Sequence, residues 1–167
     1  MGHDFDDHGE ITAAAASGDN DEVAAILSMD NRLTRVQDKD GWTPLHLAAH
    51  YGHAAVVQTL LANNADVAVR SGNAMKNQPL HAAAAGRRLE TARLLIEGGA
   101  DVNATQAGGF VPLHSAAQNG DRPLVELLLS RGADVNARAD DGRTALSLAE
   151  AAGHGEIARL LRDKGAA

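Results

Sequence analysis

His46, His50 and His53 lie four and three residues apart, the spacing that places side chains on one face of a helix. Imidazoles so arranged have the pattern of zinc ligands, and a zinc site with an open position activates water. His3 and His8, interleaved with Asp4, Asp6 and Asp7, form a second set of donors that a metal would bind only weakly, because nothing preorganises them. Other chemistries are poorly supplied. The chain has no cysteine, which removes a thiolate site, a cysteine nucleophile and a disulfide scaffold. Ser115 and Ser147 do not sit in a strand–turn–helix elbow. Gly108-Gly109 lacks the Lys-Ser/Thr that follows in a phosphate loop, and Asp140-Asp141 is ordinary turn chemistry. Whether the histidines are ligands or framework depends on what surrounds them.

The surroundings repeat. Thr43-Pro44-Leu45-His46 returns as Gln78-Pro79-Leu80-His81, Val111-Pro112-Leu113-His114 and Thr144-Ala145-Leu146-Ser147, at spacings of 35, 33 and 33 residues. Asn64-Ala65-Asp66-Val67, Gly99-Ala100-Asp101-Val102-Asn103 and Gly132-Ala133-Asp134-Val135-Asn136 keep the same beat. A step of 33 back from Thr43 reaches Glu10, just before Ala13-Ala14-Ala15-Ala16. Such a period marks an array in which each unit is one supersecondary element. His46, His81 and His114 therefore share one motif position, and His53 and His154 share another after a glycine. Of the trio His46, His50 and His53, only His50 stands outside the pattern, and one imidazole makes no metal site. No cofactor is expected.

Each motif residue has a local reason. Thr43 is an N-cap, with a hydroxyl for an orphan helix amide. Pro44 occupies the first helical position, where its missing N–H costs nothing. Leu45, Ala48 and Ala49 form an apolar stripe at helical spacing. Gly52 turns the chain toward a second helix over residues 56–61. Gly99 and Gly132 are expected to end second helices in the left-handed conformation, with Asn31 and Asn64 in that role earlier. Asp/Gly-rich turns such as Asp140-Asp141-Gly142 project a hairpin toward the next unit.

This period, with Thr-Pro-Leu-His and Gly-Ala-Asp-Val-Asn, resembles the ankyrin repeat over residues 10–167. The resemblance implies an all-α solenoid of stacked helix-turn-helix units with short β-hairpin loops and a concave inner face. It also implies that His46, His81 and His114 tie the loops of adjacent units together. Isolated units of this kind cannot bury their apolar faces, so stability resides in stacking. The expected layout is an acidic lead-in at 1–9, an N-terminal cap at 10–42, internal repeats at 43–77, 78–110 and 111–143, and a C-terminal cap at 144–167. At the C-terminal end, Glu150 replaces Ala49, Ala84 and Ala117, and Arg162 replaces Leu61, Ile96 and Leu129, giving the last unit a polar outer face.

Composition narrows the partner. Residues 1–22 carry seven acids and no Lys or Arg, while residues 23–167 balance fifteen acids with fifteen bases. No basic field exists to attract nucleic acid. Apolar runs such as Leu127-Leu128-Leu129 are too short to span a membrane, and the acidic start lacks the order of a signal peptide. A cytoplasmic, monomeric protein that is not an enzyme and binds another protein is the expectation. In an ankyrin-like array the partner-facing positions would be Lys39, Asp40, Trp42, His50, Tyr51, Met75, Lys76, Asn77, Arg87, Gln106, Phe110, Gln118, Asn119, Asp140, Asp141 and Arg143. Three of the four aromatic residues are among them, and aromatics with Arg and Met anchor binding hot spots. Two irregularities flank the junction of the first and second internal repeats: two extra residues within 71–77, and Gly86 one place early, followed by Arg87 and Arg88. The alternatives are a metal-dependent or enzymatic protein using His50, and a synthetic consensus array, which would have regularised these departures.

Overall fold

A computed structural model of the chain describes residues 7–167. His3, Asp4 and Asp6, and most of the lead-in, lie outside the described residues. The helices form in pairs, inner then outer: α1 (Asp7–Ser17) and α2 (Asn20–Met29), α3 (Pro44–Tyr51) and α4 (Ala54–Ala62), α5 (Pro79–Ala85) and α6 (Leu89–Glu97), α7 (Pro112–Gln118) and α8 (Arg122–Ser130), α9 (Ala145–Ala151) and α10 (Gly155–Asp163). Inner helices pack on inner helices along the chain, and α2, α4, α6 and α8 pack in sequence behind them. This is the all-α repeat solenoid.

Alanine sets the stacking distance. Ala48, Ala49, Ala83, Ala84, Ala116 and Ala117 are fully buried, so inner helices approach across methyl groups. Leu60, Leu95, Leu128 and Leu161 fill the space behind. The motif starts each inner helix as its chemistry demands. Thr43 accepts from the His46 amide, and its own amide donates to His46 Nδ1 at 3.3 Å. Where Gln78 and Val111 replace Thr43, the imidazole still receives the amide, at 3.2 and 3.0 Å. Ser147 does the same for Thr144 at 2.9 Å.

The hairpins are reduced to their closing bonds, and no strand is formed among the described residues. The amides of Asp38, Ser71, Gln106 and Ala139 donate to the carbonyls of Trp42, Asn77, Phe110 and Arg143 at 2.8–2.9 Å. The tips join each other in the same way: Gly72 to Gly41, Ala107 to Met75 and Asp140 to Gly108. The two extra residues of the 71–77 loop are absorbed here. Gly72 reaches back and Met75 forward, while the Asn73 side chain holds the bend through the Ser71 hydroxyl and the Met75 amide.

Three local details differ from the expectation. Asn64 does adopt a positive φ of 62°, but Asn31 instead opens a short 3-10 turn capped by the Asp30 carboxylate. In the first unit the helix-ending glycine is Gly18, 34 residues before Gly52, and the Thr12 hydroxyl bonds back to the His8 and Gly9 carbonyls. The register to the next unit is thus one residue longer than a step of 33. In the third unit Arg87, at φ 58°, takes the left-handed place held by Gly52, Gly120 and Gly153. The cause lies next door: a side chain on Gly86 would collide with the His50 carbonyl, so the one residue free of a Cβ is needed there. The outer face of the last unit is closed by its two departures, because Glu150 and Arg162 form an ion pair with each other.

Candidate functional site

The histidines separate into two sets. Nδ1 of His46, His81 and His114 accepts a backbone amide, which leaves the proton on Nε2. Those Nε2 groups donate to the carbonyls of Asn77, Phe110 and Ala137 at 2.9, 3.2 and 3.0 Å. Each imidazole thereby ties its helix to the following loop with both nitrogens used. Burial lowers the pKa of all three, that of His81 to about 4, so each is held neutral. A second tie recurs one turn beyond the inner helices. His53 Nε2 donates to the Ala16 carbonyl at 2.9 Å and His154 Nε2 to Gln118 at 3.1 Å, while Arg88 Nε does so to His50 at 3.2 Å. His46, His50 and His53 therefore aim at three different carbonyls and do not converge.

His50 is not free as the sequence suggests. Its Nδ1 donates to the Ala82 carbonyl of the next unit at 3.2 Å. That bond fixes the ring between Trp42 and Tyr51, edge-on to both, at centroid distances of 5.1 and 5.0 Å. Trp42 is aimed by its tip: the Asp38 carboxylate receives the amides of Asp40 and Trp42. The indole also packs against the core and is half-buried, whereas Tyr51 remains 48% exposed. Trp42, His50 and Tyr51 thus form one continuous ring surface joining a hairpin tip to the end of an inner helix.

A second cluster lies two units on. Phe110 stacks edge-on against His114 at 5.5 Å, and the Arg143 guanidinium lies over its ring at 4.9 Å. Asp141 orients that guanidinium through a 2.8 Å ion pair. The Arg143 amide and side chain hold the Asp141 carboxyl below its usual range. Arg143 and Gln118 border a hollow of about 440 Å³ floored by Ser147, Leu148, Ala151 and Ala152. Those last four were not anticipated as site residues. The signal in the sequence is smallness: Ala151 and Ala152 stand where other units carry His50 and Tyr51 or Gln118 and Asn119.

The remaining positions divide. Met75 is 50% exposed at the lengthened tip, and Lys39, Asp40, Lys76, Arg87 and Asp140 are exposed. Gln106 is half-buried, and Asn119 turns its amide toward the Ala84 carbonyl at 3.4 Å. Asn77 is withdrawn: it is 7% exposed and its carbonyl receives His46. The extra loop residues carry Met75 and Lys76 outward, and closing that loop folds Asn77 inward.

A regular array of helix pairs joined by framework imidazoles defines a repeat protein. A family model described as ankyrin repeats in three copies matches residues 11–106, one described as ankyrin repeats in many copies matches 95–149, and one for a single ankyrin repeat matches 141–167. The chain belongs to the ankyrin repeat family, a protein–protein interaction fold that generally binds protein partners and is generally non-catalytic. Among similar proteins is a transient receptor potential cation channel subfamily A member 1 homolog of Caenorhabditis elegans, 34% identical over 60% of this chain and 8% of its own. A 60 kDa lysophospholipase of Mus musculus is 49% identical over 32% of this chain and 9% of its own. An oxysterol-binding protein-related protein 1 of Mus musculus is 40% identical over 32% of this chain and 6% of its own. The chain thus spans less than a tenth of each of these relatives, so the likeness is one of repeats. No helix among the described residues is long and apolar enough to cross a membrane.

Proposed function

We propose that the protein is a monomeric, cytoplasmic binding module that holds one partner protein across its hairpin tips and inner helices, and that it inhibits, chaperones or tethers that partner without catalysis. The observation that carries this reading is the placement of three of the four aromatics. Trp42 and Tyr51 in one cluster and Phe110 in another lie on the tip-and-inner-helix face, held by His50 and Arg143 rather than sunk in the core. Rings fixed by neighbours lose little freedom on binding, which favours them as anchors. The buried histidines support the same reading, since His46, His81 and His114 spend both nitrogens on the backbone of the array.

The test is affinity capture from the native cell with wild type beside Tyr51→Ala/Phe110→Ala and the triple variant that adds Trp42→Ala. The double variant loses most capture while its stability falls by only about 1–2 kcal/mol, because Phe110 gives up its contacts with His114 and Arg143 but neither ring belongs to the core. The triple variant abolishes capture and also melts earlier, because the indole packs on the core. Full capture by the triple variant would overturn the assignment of this face.

A further inference from the structure

The first unit carries a feature that the partner-facing surface does not use. On α2, Glu22, Ala25, Ile26 and Met29 follow one another at helical spacing and, with Glu10 of α1 and Leu33, line a groove of about 260 Å³. Its floor is apolar, and Met29 stands 87% exposed. Stacking does not require that methionine. Counted from the left-handed residue that ends each inner helix (Gly18, Gly52, Arg87, Gly120 and Gly153), the same place is Asn63, Gly98, Arg131 and Lys164 in the later units. The groove is smaller than the ~300–1,000 Å³ of pockets for drug-sized ligands, which suits side-chain anchors rather than a metabolite.

Charge selects the occupant. The acids of residues 1–22 account for the whole net charge of −7, and no Lys or Arg lies among them. Asp30 also lines the groove but is neutralised by Arg32 at 2.7 Å, which leaves Glu10 and Glu22 as the free rim charges. A second copy of this chain brought face to face would place like charges opposite each other, whereas a basic amphipathic segment would meet opposite charge at the rim and apolar contact in the floor. We infer that this groove docks a basic amphipathic helix of a partner protein, at a site separate from the tip-and-inner-helix face.

The inference is tested with the full chain and two synthetic helical peptides of identical apolar pattern, one with lysines and one with glutamates on the polar face. The expected result is binding of the lysine peptide alone, weakened about tenfold by Met29→Ser, by Glu10→Gln/Glu22→Gln and by 0.5 M salt. Asp163→Asn, a distant acid, leaves it unchanged. Tyr51→Ala/Phe110→Ala also leaves it unchanged, so this inference and the proposed function fail independently. Equal binding of both peptides, no binding, or indifference to Met29→Ser would overturn the inference. So would a sedimentation-detected dimer that Met29→Ser dissolves, which would assign the groove to a second copy.

Discussion

At the starts of α3, α5 and α7 the imidazoles are buried and both nitrogens serve the framework. At the far end of α3, His50 spends one nitrogen on the Ala82 carbonyl and turns its ring toward Trp42 and exposed Tyr51. One residue type thus serves two ends of the same helix in different ways. Repetition assigns the first use, because stacking demands it in every unit, and departure from the repeat assigns the second. Stability and recognition should accordingly respond to different substitutions.

The largest effect is expected from His81→Ala. It strands the Gln78 amide and the Phe110 carbonyl and opens a cavity in a residue only 2% exposed. Chemical denaturation should show a loss of about 2–4 kcal/mol, and a loss as large from Tyr51→Ala would erase the contrast. Next is pH. With its pKa lowered from 6.5 to about 4 by burial, His81 contributes stability that is complete above pH 6.5 and is lost as pH falls through 4, because the unfolded chain takes up the proton first. His46 and His114 shift in the same direction. The His81 share is about 3 kcal/mol, read as a shallower acid limb of the stability–pH curve in His81→Gln. The smallest effect is Arg87→Gly, which relieves a positive φ and should raise stability by about 0.5–1 kcal/mol. Weaker partner capture by that more stable variant would show that the strained arginine is kept for binding.

Much of the framework was legible in the sequence because it is periodic. The 33-residue beat, the Thr-Pro start of the inner helices, the grouping of His46 with His81 and His114, and the polar departures of the last unit are all local patterns. The site was less legible because its geometry is set between units. His50 looked free because its acceptor lies 32 residues away on the next helix. Arg87 takes a glycine's conformation because Gly86 must make room for the His50 carbonyl, a contact no single repeat displays. Asn77 occupies a tip position yet turns inward, because the lengthened loop closes on Ser71 through that residue's amide. Glu150 and Arg162 each marked the end of the array, but their pairing needed the fold.

The central claim, that a partner is held across the hairpin tips and inner helices, is tested most directly by oxidative footprinting of the captured complex against the free chain. Protection of Tyr51, Met75 and Phe110, with Leu89 on outer helix α6 as reactive as before, is the predicted result. Protection confined to Leu89 and the other outer-helix side chains, with Tyr51, Met75 and Phe110 unchanged, would contradict it.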